Sequence, residues 1–164
     1  NYSRFLLKSM PAEVLFDAIS QTTGVPGNFE GYPVGTRAIQ LWDSRYQDYF
    51  LKVHGRPLRV SSCSCERQKE PGIAQVLHEL NSPELHRKLS HEQGKIARLI
   101  AGKSTQKEIV EELFLSYFSR FPDKSELELA NEVLAKAKDA TSKREALEDL
   151  AWGMMNSLEF LFNH

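Results

Sequence analysis

The chain has 164 residues, of which 41% are hydrophobic and 26% are charged. These values are typical of a folded globular protein and exclude an intrinsically disordered chain. The 21 lysines and arginines are balanced by 22 aspartates and glutamates, for a formal charge of -1, so the chain lacks the basic field that attracts nucleic acid or an anionic membrane surface. We therefore expect no nucleic-acid partner.

The length indicates a single domain, 1–164, that is large enough to bury a hydrophobic core without disulfides. No run of apolar residues approaches the roughly 18 that cross a membrane, and no charged and then apolar opening marks a signal peptide. We therefore predict no membrane span. Because the sequence begins with Asn1 rather than Met, we expect a mature product or an excised domain.

The first predicted element is a short amphipathic helix. Ser9 is a suitable cap, Pro11 is tolerated in the first helical turn, and Gly24 is placed to end the helix. The apolar residues between them follow the helical period. They are Val14, Leu15, Ala18 and Ile19.

A long irregular segment is predicted at 24–71, where glycines and prolines cluster and hydrophobic periodicity is lost. Only one short helix, near 44–51, is expected within it. Irregular segments of this length are uncommon in compact domains unless they are functional or disordered. Aromatic residues argue against disorder because each can bury a large area. They are Phe29, Tyr32, Trp42, Tyr46, Tyr49 and Phe50. We therefore expect the segment to pack on the helices.

Both cysteines of the chain, Cys63 and Cys65, lie in this segment, one residue apart. They fit three interpretations: two buried apolar residues in a packed turn, a strained local disulfide between Cys63 and Cys65, or a thiolate pair in a metal site. In a metal site His54, His78 or His164 would complete the ligands. A lone Cys-x-Cys lacks the second ligand pair of a zinc pattern, so no metal site is predicted.

Charged residues surround the two cysteines. Arginines in a long loop often donate to backbone carbonyls or carboxylates and hold the loop down, and Glu66 and Glu70 are available as partners. The same arginines would bind an anionic ligand or lower the pKa of a neighbouring thiol. We favour the structural role because most ion networks are structural. The candidate cluster, functional or structural, contains Arg56, Arg59, Cys63, Cys65, Glu66 and Arg67.

The remainder of the chain, 72–164, is predicted to be a small helical bundle. Helices are expected near 72–80, 83–89, 92–101, 105–120, 124–138 and 142–161. Three of them open with the spacing of a capping box. The pairs are Thr105 with Glu108, Asp123 with Glu126, and Ser142 with Glu145. Consecutive amphipathic helices joined by short turns favour antiparallel packing. The predicted fold class is therefore all-α, a small helical bundle with a long irregular segment packed on it.

The last residues of the chain are dense in apolar side chains that are typical of a core. Asn156 and Glu159 are three residues apart, which places them on one face of a continuous helix, where a buried amide and carboxylate need partners. His164, when charged, would face the negative end of a helix dipole. Asn156, Glu159, Asn163 and His164 are the secondary candidate residues.

Several enzyme signatures are missing from the sequence. They are Gly-x-Ser-x-Gly, the phosphate-binding Gly-x-x-x-x-Gly-Lys-Ser/Thr loop, His-Glu-x-x-His, and a Gly-x-Gly-x-x-Gly after a strand. Ala101-Gly102-Lys103-Ser104 resembles the end of a phosphate loop, but it lacks the first glycine and follows a helix. We therefore predict no catalytic residues.

Five segments together resemble a known family. Gly55-Arg56-Pro57 with Cys63-Ser64-Cys65-Glu66-Arg67 looks like the family's most specific motif. Segments 10–19, 75–81, 113–122 and 156–164 are similar to other parts of it. The family is the C-terminal domain of unknown function in planctomycete proteins that also carry a cytochrome-c-like domain. Its pattern differs at three positions: His54 stands where the family has Phe, which weakens His54 as a metal ligand, and Gly153 and Leu158 also depart from it.

The resemblance implies that the chain is the C-terminal part of a larger extracytoplasmic protein, in the periplasm or at the cell surface. It implies that a haem cofactor lies only in a separate upstream domain, with no cofactor in this one. The partners it implies are the upstream domains of the same protein. Disulfides persist in such a compartment.

Three functional hypotheses follow. The first is a non-catalytic helical interaction module that presents the 24–71 segment to the rest of its parent protein. The second is a redox or metal-binding function at Cys63 and Cys65. The third is binding of a polysaccharide by exposed aromatic residues such as Trp42, Tyr46 and Tyr49.

Overall fold

A computed structural model describes residues 8–43, 46–57, 82–102 and 104–163 of the chain. Its α-helices are α1 (Ala12–Thr23), α2 (Tyr49–Val53), α3 (Pro83–Leu89), α4 (Lys95–Ala101), α5 (Gln106–Phe118), α6 (Lys124–Ala135), α7 (Ala140–Met155) and α8 (Leu158–Leu161). A 3-10 helix covers Ala38–Gln40. Two short antiparallel strands, β1 (Lys8–Ser9) and β2 (Phe162–Asn163), pair Lys8 with Asn163 and Ser9 with Phe162. The all-α prediction is confirmed for the described residues.

The described residues form two compact units. The first contains residues 8–21, 26–43, 46–57, Ser82 and 161–163. The second contains Thr22–Val25 and Pro83–Phe160, without residue 103. The prediction of one domain over the whole chain stays a prediction. No helix in the described parts of the chain is long and apolar enough to cross a membrane.

Helix α1 ends where the sequence predicts it, but the expected cap at Ser9 is wrong, because Ser9 lies in β1 and the helix begins at Ala12. The N–H of Leu15 donates to the carbonyl of Pro11 at 2.9 Å, which starts the helix directly after the proline. Gly24 follows the last helical residue with φ +69°, the left-handed conformation that favours glycine. The buried face carries Leu15, Phe16 and Ile19, whereas Val14 of the predicted apolar face is exposed.

The irregular segment of the first unit packs on α1 through a buried aromatic cluster. Phe16 of α1 lies 5.2 Å from Phe29 and 5.3 Å from Phe50 between ring centroids. All three rings are buried, and offset or tilted contacts at such distances are favourable beyond their burial. The short helix predicted near 44–51 corresponds to α2, Tyr49–Val53, which starts five residues later than expected. It begins after Asp48 because that side chain accepts the Leu51 N–H at 2.9 Å.

The second unit is the helical bundle. Helix α7 contacts α3, α4, α5 and α6, so it is the central helix of this unit. Its buried side chains include Leu147, Ala151, Met154 and Met155. The predicted helices near 83–89, 92–101, 105–120 and 124–138 are all present, with ends that differ by up to three residues. The helix predicted near 72–80 lies outside the described residues.

Two of the three predicted capping boxes are confirmed. Thr105 caps α5 with Glu108, and Asp123 caps α6 with Glu126. The third, at Ser142, is wrong, because Asp139 caps α7 and its carboxylate accepts the Ser142 N–H at 2.8 Å. Aspartate is at least as good an N-cap as serine, so the earlier residue starts the helix.

The continuous helix predicted over 142–161 is interrupted. Helix α7 ends at Met155, and Asn156 closes it with its side-chain N–H on the carbonyl of Trp152 at 2.8 Å. The Ser157 hydroxyl accepts the N–H of Phe160 at 3.2 Å, which starts α8. Because of this break, the prediction that Asn156 and Glu159 share one helical face is wrong.

Candidate functional site

Asp17 of α1 is a buried carboxylate that holds part of the irregular segment. Its two oxygens accept the backbone N–H groups of Ala38 at 2.7 Å and Ile39 at 3.2 Å. Arg37, whose side chain is largely exposed, lies 3.4 Å from the same carboxylate. Charge-assisted bonds to backbone N–H groups are among the stronger hydrogen bonds in proteins. Asp17 therefore fixes the 3-10 helix to α1.

Arg56 forms a second attachment in the same unit. Its side chain is 8% exposed, and its Nε lies 3.6 Å from Glu13 Oε1 of α1. Its Nη2 donates to the carbonyls of Leu41 at 3.3 Å and Asp43 at 3.2 Å. These contacts are those of an arginine that holds a loop down. Its remaining nitrogen, Nη1, is buried and has no hydrogen-bond partner within the described part of the chain.

Only Arg56 of the sequence-predicted cluster belongs to the described residues. Arg59, Cys63, Cys65, Glu66 and Arg67 lie outside them, and so does the possible disulfide between Cys63 and Cys65. The proposal of a cluster at these six positions therefore stays a prediction.

His54 is buried beside α2. Its ring stacks on Phe50 with centroids 4.0 Å apart, and its Nδ1 lies 2.9 Å from the carbonyl oxygen of Phe50. These contacts engage the ring face and Nδ1 of His54 within its own helical turn. The other two proposed metal-ligating histidines, His78 and His164, lie outside the described residues. Within the described ranges no group of three or more His, Cys, Asp or Glu side chains is placed to hold a metal ion.

The aromatic residues of the segment divide into supporting and exposed side chains. Tyr46 and Tyr32 contact each other with centroids 5.5 Å apart, and their hydroxyls accept the backbone N–H groups of Glu30 at 2.8 Å and Asp43 at 3.3 Å. Trp42 lies against Tyr32 at 4.2 Å between centroids, yet it is 76% exposed. The segment therefore presents the Trp42 ring on an ordered support.

Other large apolar side chains of the segment are also exposed. Tyr49, the first residue of α2, is 71% exposed, and Val34 and Ile39 are exposed as well. We call Val34, Ile39, Trp42 and Tyr49 the exposed apolar set. Of the three aromatics suggested for carbohydrate binding, Trp42 and Tyr49 are therefore accessible, whereas Tyr46 is half-buried and has its hydroxyl engaged.

An arginine in the second unit pairs with Glu159, one of the secondary candidates. The guanidinium of Arg120 donates to both oxygens of Glu159 at 2.7 and 2.8 Å and to both oxygens of Glu126 at 2.7 Å. It also lies 5.6 and 5.4 Å from the ring centroids of Phe114 and Phe118. Because two bidentate carboxylates occupy the guanidinium, we interpret this cluster as structural.

The ion pairs at Arg120 shift the pKa values of the groups that form them. Hydrogen bonding to Arg120 lowers the pKa of Glu126 below its ordinary value of 4.5, and the carboxylates raise the pKa of Arg120. A carboxylate with a lowered pKa in the folded protein stabilises the fold above its ordinary pKa and loses that effect as the pH falls.

Replacing Arg120 with methionine leaves two neighbouring carboxylates without their cation. The side chains are about one-third exposed, so we expect a loss of about 1–2 kcal/mol in the free energy of unfolding, between the values for surface and buried pairs. Urea denaturation at neutral pH measures it. The stability of R120M should also fall less than that of the parent as the pH is lowered through the ordinary pKa of Glu126, because the largest contribution to the lowered pKa is lost with Arg120.

The matched control for R120M is Lys124→Met, which removes one positive charge from an exposed position at the start of α6. We expect it to change stability by less than about 0.5 kcal/mol. Equal effects of R120M and K124M would contradict a specific network at Arg120.

The remaining secondary candidates make local contacts. Asn156 caps α7, and the backbone of Asn163 pairs with Lys8 in the two-stranded ladder. His164 lies outside the described residues. Asn156 and Glu159, the secondary candidates of the second unit, therefore make separate contacts, with Trp152 and with Arg120.

Two attachment residues, Asp17 and Glu13, were missed by the sequence analysis. Asp17 interrupts the apolar run Leu15-Phe16-Asp17-Ala18-Ile19, and a carboxylate within a predicted buried face requires partners. That signal was present in the sequence. Its partners, two backbone N–H groups more than twenty positions away, carry no signal of their own.

No family model, curated protein or solved structure matches the chain. The fold and the contacts define a mainly helical protein with an aromatic segment attached to its first helix by two charged side chains. The membership of the resembled family remains a prediction.

Proposed function

We propose that the chain is a non-catalytic helical interaction module that binds another part of its own larger protein through the irregular segment. The observation that carries this proposal is the exposed apolar set. These side chains project from a segment that Asp17 and Arg56 hold against α1.

An ordered support favours binding. A free loop loses conformational entropy when it binds, whereas a segment that is already fixed avoids much of that cost. Tryptophan and tyrosine are the residues most enriched among those that dominate interface energies. Trp42 is such a residue and is supported by Tyr32. Tyr49 is another, and its support is helix α2, which it begins.

The resemblance supplies the proposed partner. It implies an extracytoplasmic planctomycete-type parent protein with a cytochrome-c-like domain upstream, so the surface bound by the exposed apolar set belongs to those upstream domains. In this proposal the haem resides there, and the present chain contributes contacts without a cofactor of its own.

Binding of the purified upstream region to this chain tests the proposal. The double variant Trp42→Ala with Tyr49→Ala is expected to weaken the association about thirtyfold, because truncation of central aromatic residues costs about 2 kcal/mol or more. Isothermal titration calorimetry measures the change, and circular dichroism checks that the variant remains folded.

Phe121→Ala is the matched control, because Phe121 is an exposed aromatic residue of the second unit. It should leave the association unchanged. Absence of binding at micromolar concentration, or equal weakening by both variants, would overturn the proposal.

Carbohydrate binding is the second candidate function, and the accessible Trp42 ring is the observation that favours it. A flat exposed indole can stack on the apolar face of a sugar. Glycan-array binding that is lost on Trp42→Ala, together with no affinity for the upstream domains, would favour this function over the first.

A further inference from the structure

The second unit contains a pocket of about 490 Å³ between α3 and α7. This volume lies within the range of pockets that hold small organic molecules. Three lining residues come from α3 and its C-terminal end, and three come from α7. They are His86, Leu89 and Ser90, with Glu148, Asp149 and Trp152.

Aromatic rings form one part of the lining. The rings of His86 and Trp152 are nearly parallel, with an interplanar angle of 15° and centroids 6.4 Å apart. A cation seated in the pocket can therefore lie within about 6 Å of both centroids, the range in which a ring face attracts positive charge. Tryptophan provides the strongest such attraction among the side chains.

Carboxylates form another part of the lining. Glu148 is paired with Arg144 at 2.7 Å, so its charge is largely balanced. Arg144 also donates to the carbonyl of Ser90 at 2.5 Å, so both of its described hydrogen-bond partners are residues other than Asp149. The Asp149 side chain is exposed, and no hydrogen bond or ion pair joins its carboxylate to a residue that the structure describes. The pocket therefore retains an unbalanced negative charge.

Trp152 also carries a polar atom without a partner. Its Nε1 is buried and has no hydrogen-bond acceptor among the residues that the structure describes. A buried donor without an acceptor costs about 1–3 kcal/mol, so such atoms are rare in folded proteins. A ligand oxygen within about 3 Å of Nε1 would satisfy this donor.

We propose that this pocket binds a small organic ammonium cation that also carries an oxygen acceptor. The cation faces Asp149 and the ring of Trp152, and the oxygen accepts the indole N–H. This site is independent of the exposed apolar set and of the function proposed for it, since all its lining residues belong to the second unit.

Choline is a suitable probe, because it has both a quaternary ammonium group and a hydroxyl oxygen. The chain contains two tryptophans, Trp42 and Trp152, so titration of the ¹⁵N-labelled protein monitors two indole N–H resonances. We expect the Trp152 resonance to shift with a dissociation constant of about 1 mM, within the limit for so small a ligand. The Trp42 resonance is the internal control and should not move.

Two comparison ligands separate the components of the proposal. The neutral isostere 3,3-dimethyl-1-butanol keeps the shape and the hydroxyl, and it should bind at least about fivefold more weakly because the cation–π and ion-pair attractions are lost. Tetramethylammonium keeps the charge and lacks the oxygen, so it should also bind more weakly than choline. Sodium chloride at equal ionic strength controls for screening.

Variants locate the site. Asp149→Asn is expected to weaken choline binding about threefold to fivefold, the effect of one partly exposed ion pair. Glu128→Gln, at an exposed position of α6, is the matched control and should have no effect. Added retention of the protein on phosphatidylcholine vesicles would assign the cation to a lipid headgroup, and binding of free choline alone would assign it to a soluble ligand.

The proposal would be overturned if the Trp152 resonance did not shift even at choline concentrations tens of times higher than the expected dissociation constant. Equal binding of choline and its neutral isostere would overturn it as well, because the pocket would then be an apolar site. A shift that persists unchanged in D149N would exclude Asp149 as the anionic partner and would contradict the proposed site.

Discussion

Asp17→Ala is expected to destabilise the first unit by about 2–4 kcal/mol. The substitution removes the acceptor of two backbone N–H groups, on Ala38 and Ile39, and the first of these residues is fully buried. Each buried donor left without an acceptor costs about 1–3 kcal/mol. Urea denaturation measures the loss, and limited proteolysis should show faster cleavage near the 3-10 helix.

Arg37→Ala is the control for Asp17→Ala. It removes only the exposed ion pair with Asp17 and leaves the backbone acceptors in place. An exposed pair contributes less than about 1 kcal/mol, so R37A should remain close to the parent protein. If D17A and R37A lost the same stability, the hydrogen bonds to the segment backbone would not be the source of the effect.

Leu147→Ala is expected to destabilise the second unit by about 3 kcal/mol. Leu147 is 1% exposed on α7, the helix that contacts four others in this unit. Truncating a buried leucine removes its transfer free energy and leaves a cavity, at a cost of about 2–5 kcal/mol. Thermal and urea denaturation measure the change.

Leu129→Ala is the matched substitution, with the same chemistry at a site on α6 that is 61% exposed. Its expected effect is within about 0.5 kcal/mol. A similar loss in both variants would show that burial on α7 does not determine the stability of the unit.

The sequence was most informative where the structure depends on nearby residues. The capping boxes at Thr105 and Asp123 and the end of α1 at Gly24 each involve groups within one helical turn. A helix boundary of this kind is encoded locally because the capping side chain satisfies N–H groups only two or three residues away.

The sequence misled where two local signals competed. Ser142 and Asp139 both precede an apolar run, and the structure starts α7 after Asp139. A second competition occurs at the end of that helix. There the Ser157 hydroxyl starts α8, a new helix that the apolar periodicity did not indicate. The partner of Glu159 is Arg120, a residue 39 positions away, which the local sequence pattern does not indicate.

The sequence by itself determined that this protein is mainly helical, where most of its helices lie, and that the described part of the 24–71 segment is largely irregular. Those properties follow from periodicity, capping residues and the distribution of glycine and proline, all of which act over a few residues. Only the tertiary structure decided that Asp17 and Arg56 hold the segment to α1, that Trp42 and Tyr49 are exposed, and that His86 and Trp152 line one pocket. The reason is physical. Burial and pairing depend on tertiary contacts between residues that are distant in sequence, and local propensity carries no information about those contacts.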